Sequence, residues 1–184
     1  MDAIDNLLNR VSIPRLEGPA PSADQLDILF RAALRAPDHG ALRPWRFLTI
    51  QGDALYKLGQ LYVQAALQDE PGLAAEKRTK LENMPLRAPL LIVAIAALQE
   101  HFKVPGSEQL IAAGCAVQNM LLAAHAQGLG AMWRTGDMAY NATVKKGLGL
   151  SEHEQIIGFI YLGAPAKGKP VPQLEVSNFV TEWN

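Results

Sequence analysis

With 184 residues, 49% of them hydrophobic and 19% charged, the chain has apolar surface enough for a folded core and is not a disordered segment. Its 17 basic and 18 acidic residues leave a net charge of −1, which removes the electrostatic case for nucleic acid or an anionic membrane. A single cysteine excludes an internal disulfide, no run of ~18 apolar residues offers a membrane span, and the acidic start MDAIDNLLNR does not read as a signal peptide, so a cytoplasmic location is expected.

A short helix is expected over Ala3–Asn9. The next is capped by Ser22 with Gln25 three residues on, and Leu26, Leu29, Phe30, Ala33 and Leu34 keep its apolar stripe. Pro37 stops it, because the residue before a proline is pushed off helical geometry. WRFLTIQ (45–51) reads as a strand, with Pro44 and Trp45 setting its entry and Arg46 turned outward as a surface charge. Residues 53–82 have helical period and are broken in two at Pro71-Gly72. PLLIVAIAAL (89–98) suits a central strand. Residues 107–128 form a long helix with Ser107 as its cap and Gly128 past its end. Its apolar residues run nearly all round, so it is expected to be buried, in part against a second subunit. A short strand and loop (LGAMWRTG), a short helix (NATVKKGLGL) and a buried strand (155–163) follow. The tail beyond Ala164 has little pattern and needs a surface to pack on. About four strands mixed with helices, without regular alternation, give an α+β class. Residues 1–184 read as a single domain.

Familiar motifs fail on context. GAPAKGK (163–169) has phosphate-loop spacing, but Pro170 stands where a hydroxyl should bind magnesium and no helix follows. No G-x-G-x-x-G follows a strand, and no histidine or cysteine pairing has metal-ligand spacing. Cys115 reads as a small core filler.

Four clusters remain. In NRVSIPR, Arg10 and Ser12 stand at i, i+2, so an extended backbone points both the same way, as a phosphate clamp or an ordinary turn. RAPDHGALRPWRF (35–47) gathers three arginines and a histidine. GLGAMWRTG offers glycines for close backbone approach beside Trp133 and Arg134, or a strand with an interfacial tryptophan. Lys167 and Lys169 follow the YLGAP turn.

In this order and spacing the clusters, with AAGCAVQNMLLAAHAQGLGAMWRTG and IIGFIYLGAP, resemble the FMN-dependent nitroreductase family, especially its small NAD(P)H nitroreductases. The resemblance implies a nitroreductase-like α+β fold. Its mostly antiparallel central sheet is flanked by helices, in an intertwined homodimer with FMN sites built from both chains. It implies that Arg10, Val11 (through its backbone) and Ser12 hold the phosphate, and that Arg35 and His39 line the flavin. Ala131, Met132 and Trp133 would run along the ring, and Lys167 or Lys169 would close the phosphate site. Leu121, Leu122, Ala123, Ala124, His125 and Ala126 match a stretch assigned to NAD(P) contact. Arg43 replaces a glutamine that many members carry before the Pro-Trp pair, leaving its role open. The implied activity is ping-pong hydride transfer through the flavin from NADH or NADPH to a nitroaromatic, quinone or similar small acceptor. A flavin-binding protein without turnover, and a same-scaffold reductase of activated alkenes or carbon–halogen bonds, are the competing readings.

Overall fold

The computed structural model describes residues 1–184. In chain order the elements are α1 (Ala3–Asn9), β1 (Leu16–Glu17), α2 (Ala23–Ala33), β2 (Trp45–Gln51), α3 (Asp53–Asp69), α4 (Ala75–Glu82), β3 (Leu90–Ala97), α5 (Gly106–Ala126), β4 (Gly130–Arg134), α6 (Asp137–Tyr140), α7 (Ala142–Gly147) and β5 (Glu154–Pro165). The class is α+β. There is one strand more than expected, because the two-residue β1 carries too little pattern to be read alone. No helix is long and apolar enough to cross a membrane.

Every strand pairing is antiparallel. β3 lies between β2 and β5, in register from Leu90↔Leu162 to Ala97↔Glu154 with an irregularity at Ala94/Ile95. The long β5 also pairs with β4, from Gly130↔Gly163 to Arg134↔Phe159, and with β1 through Leu16↔Pro165. Side chains of β3 alternate onto two cores. Leu91, Val93 and Ile95 pack with Leu55, Leu58, Tyr62 and Ala65 of α3. Leu90, Ile92, Ala94 and Ala96 pack with Leu29 and Ala33 of α2 and with Ala113, Ala116, Val117 and Met120 of α5. A strand covered on both faces has no need of polar alternation, which is why β3 reads as one apolar run.

The helix ends show which local signals act. Ser22 and Gln25 form the expected capping box. α2, however, ends at Ala33, and Leu34 is exposed rather than part of the buried stripe. At α5 the expected cap is wrong: the N-cap is Pro105, without a side-chain bond, and Ser107 lies inside the helix. A tertiary tie fixes this end instead. Gln109, 1% exposed, donates to the carbonyls of Gln99 and Val104 and accepts from the Gln99 N–H. α5 is not covered all round, since Ile111 is exposed. The tail carries Leu174, Val176, Phe179, Val180 and Trp183 in the open.

Candidate functional site

The N-terminal segment is held at both ends. Asp2 caps α1 by accepting from Ile4 and Asp5 N–H groups, which also holds its carboxyl below the usual range. Asn6 Nδ2 donates to the Leu122 carbonyl at 3.1 Å, docking α1 near the end of α5. The helix stops at Arg10, whose φ of −62° and ψ of 128° turn the chain extended. Ile13 N–H then donates to the Ala131 carbonyl at 2.9 Å, laying residues 10–13 against the start of β4. The side chains of Arg10 and Ser12 are half-buried and bond to no protein group. The alternate residues of this segment open on a cleft of about 300 Å³, whose lining includes Asn9, Val11, Ile13, His125, Gly130 and Lys169 but neither Arg10 nor Ser12. Of the two tail lysines, Lys169 reaches this cleft and Lys167 does not line it.

β4 forms the adjoining wall. Ala131 is buried, Met132 packs against the first core, and Trp133 is half-buried. The indole Nε1 donates to the Ile157 carbonyl at 2.9 Å. It lies so close to Gly158 that a Cβ there would stand 1.9 Å from Nε1, so only glycine admits the ring. The guanidinium carbon of Arg134 is 5.9 Å from the centre of the Tyr161 ring. Burial pushes the Tyr161 hydroxyl pKa up, and the charges of Arg87 and Arg134 partly offset it.

The second group lies elsewhere. Arg35 is exposed just past the end of α2, and His39 Nδ1 is hydrogen-bonded to Glu108 Oε2 at 2.7 Å in the first turn of α5. The backbone just after His39 is unusual. Gly40, Ala41 and Arg43 have φ of 78°, 54° and 50°. For the two non-glycine residues the left-handed region costs roughly 1–2 kcal/mol each. Three contacts hold the loop there. Asp38 Oδ2 accepts from Arg43 N–H at 2.6 Å, and Gln99 Nε2 donates to the Leu42 carbonyl at 2.8 Å. The third is the His39–Glu108 bond. Pro44 and Trp45 then set the entry to β2 as expected, with the Pro44 carbonyl accepting from Ala97 N–H.

The two groups lie toward opposite ends of α5. Val11 shares a cleft with His125 near the end of α5, whereas His39 is bound to Glu108 at its beginning. At 1.5 Å per residue, the helix between Glu108 and His125 spans about 25 Å. That is more than one mononucleotide reaches.

One further residue differs from expectation. Arg46 is not a surface charge: its Nε and Nη2 grip both carboxylate oxygens of Glu154, the second at 2.8 Å. That guanidinium holds the Glu154 carboxyl down at about 2, with Ser151 N–H adding to the effect and burial opposing it. In the stretch expected to meet NAD(P), Leu121 and Ala124 are buried in the second core. Leu122 and Ala123 are half-buried, Ala126 is exposed, and His125 alone of the six lines the cleft. Sequence reasoning missed Glu108, Gln99 and Gln109. Gln109 stands among Ser107, Glu108 and other polar residues of α5, so nothing in its local sequence marked it as the buried one.

Known proteins extend this geometry. The model of the nitroreductase family matches residues 7–164, and the chain belongs to that family. It is 42% identical over 165 residues to the Escherichia coli K12 protein named "Putative NAD(P)H nitroreductase YdjA", covering 90% of this chain and 89% of that one. A crystal structure of a nitroreductase-like protein from Bacillus cereus shares the fold at a TM-score of 0.84 and 22% identity, covering 100% of this chain and 96% of that one. A Desulfovibrio desulfuricans structure, titled a putative nitroreductase in complex with FMN, aligns at a TM-score of 0.77 and 25% identity, covering 98% and 96%.

Proposed function

We propose that the protein is an FMN-dependent NAD(P)H oxidoreductase of nitroreductase type, a single domain over residues 1–184 that works as a homodimer in the cytoplasm. The observation that carries this reading is the Ile13–Ala131 hydrogen bond. It sets Arg10 and Ser12, two side chains without protein partners, on the segment that runs beside Ala131–Trp133, while the alternate residues Val11 and Ile13 line the cleft that Lys169 reaches. Two cations and a hydroxyl suit a phosphate dianion, which needs charge-assisted donors where no glycine-rich loop cradles it. The apolar strand edge next to them suits a flat ring. The FMN complex of the Desulfovibrio relative and the NAD(P)H name of the Escherichia coli relative support the same assignment.

In this reading Arg10, Ser12 and Lys169 bind phosphate, with the Val11 backbone beside them. Lys167 stays outside the cleft lining, in solvent. Ala131, Met132 and Trp133 form the ring's wall. Because Trp133 Nε1 is committed to Ile157, its part is packing rather than hydrogen bonding. Arg35 and His39 come from the second subunit, which is how groups about 25 Å apart in one chain serve one cofactor. FMN, when bound there, would supply the redox chemistry between NADH or NADPH and a nitroaromatic, quinone or similar acceptor.

The test is optical. The purified protein should show an oxidised-flavin spectrum that NAD(P)H bleaches without oxygen and a nitroarene restores. A colourless protein that takes up no FMN sinks the reading. A yellow protein inert to both NADH and NADPH sinks its catalytic part.

A further inference from the structure

We propose that Arg43 is the specificity-determining residue of this site, recognising an anionic group on the electron donor or acceptor: the 2′-phosphate of NADPH or an acid group on the reducible substrate. The inference rests on the function proposed above and adds the substrate's charge to it.

Arg43 occupies a backbone position that favours glycine. At Gly40 the same loop uses glycine for its left-handed turn, but at φ 50° it keeps a long cationic side chain. The conformation is imposed from outside, by Asp38 on the Arg43 N–H and by Gln99, itself anchored on buried Gln109, on the preceding carbonyl. Strain held in this way marks positions where a side chain has to be presented in one place.

The charges nearby are already engaged. Asp38 is turned to the backbone of Arg43, and Glu108 is bound to His39. The Arg43 guanidinium, exposed and without an ion pair or hydrogen bond, is left as an unpaired cation on a held backbone, four residues from His39. A planar guanidinium binds phosphate or carboxylate through two parallel N–H bonds, which neutral ligands cannot return. Arg46 differs in this respect, since Glu154 consumes its fork.

The experiment uses the full-length flavin-loaded protein as wild type, Arg43→Gln and Arg43→Lys. Calorimetry compares 2′,5′-ADP with 5′-AMP, and 4-nitrobenzoate with nitrobenzene. Steady-state kinetics compare NADPH with NADH, and the same two nitroarenes. In one of these arms the preference for the anionic member should fall about tenfold or more in Arg43→Gln, the loss expected for one charge-assisted hydrogen bond. Arg43→Lys should retain part of it. A fall in the adenosine arm assigns the anion to the donor, and a fall in the nitroarene arm to the acceptor. Equal losses for charged and neutral members, or unchanged preferences in both arms, overturn the proposal. Calorimetry reads the preference without turnover, so an inert wild type that still binds the anion selectively would defeat the catalytic reading and leave this one standing.

Discussion

Arg46 and Arg10 make an instructive pair. Both are arginines beside the sheet, yet Arg46 closes on Glu154 in a two-pronged ion pair that joins β2 to the start of β5, while Arg10 ends a helix with its guanidinium unbonded. One cation serves the fold. The other is held in place by its backbone, through the Ile13–Ala131 bond, and left open to a ligand. Exposure does not tell them apart, because both residues are half-buried. The partner does.

The largest expected effect on stability tests the structural half of that contrast. Glu154→Ala removes a carboxylate that is 10% exposed and leaves Arg46, 35% exposed and so partly screened by water, without its partner; it should cost roughly 1–2 kcal/mol in urea unfolding. Flavin affinity per folded molecule should not change, and a loss there would mean that Arg46 also serves the site. The same pair sets an acid limb. A carboxyl lowered to about 2 from its ordinary 4.5 stabilises the fold fully above the higher value, and that stabilisation disappears as pH falls through the lower. The stability gap between wild type and Glu154→Gln should therefore narrow across that window. A gap that is constant with pH would show the pair contributes no proton linkage.

Arg10→Ala tests the other half. FMN affinity should fall by more than ~1.5 kcal/mol by fluorescence titration, while the melting temperature of the flavin-free protein stays put. Unchanged affinity would put the phosphate elsewhere, and a lower melting point would show that Arg10 has a structural duty after all.

The smallest effect concerns a polar group with neither duty. Tyr62 sits wholly buried in α3, edge-on to Phe159 with ring centres 5.7 Å apart, and its hydroxyl has no partner. Burial pushes its pKa upward. Tyr62→Phe keeps the ring contact and removes the orphaned hydroxyl, so stability should hold or rise by up to ~1 kcal/mol in thermal unfolding. A loss of that size would reveal a hydrogen bond.

What could be read from the sequence follows the range of the forces involved. The bounds of α1 and β2, the capping box of α2 and the break before α4 all depend on residues within a few positions of one another, and each was legible. The cap of α5 was not, because Gln109 fixes that end through Gln99, ten residues away and on another segment. Arg46 was misjudged for the same reason: its partner lies 108 positions along the chain. For the candidate site, local clusters suggested the members of each group and the family resemblance suggested that they act together, while their placement in the fold came from the structure. The left-handed backbone at Ala41 and Arg43 was hidden, since nothing in either residue type favours it. Nor could any local pattern show that Lys169, rather than Lys167, lines the cleft; that depends on how the tail crosses the N-terminal segment, where Ala166 N–H bonds the Arg15 carbonyl.

The length of α5 has a genetic consequence. If the ends of this helix serve two different flavins, a chain altered at Arg10 damages one site of a dimer, and a chain altered at His39 damages a site through its other end. Mixing Arg10→Ala chains with His39→Ala chains would then gather both lesions into one site and leave its twin intact. Each parent preparation should be crippled, yet subunits exchanged between them should recover activity in the mixed dimers. Monomers that carried a whole site each would show no such complementation.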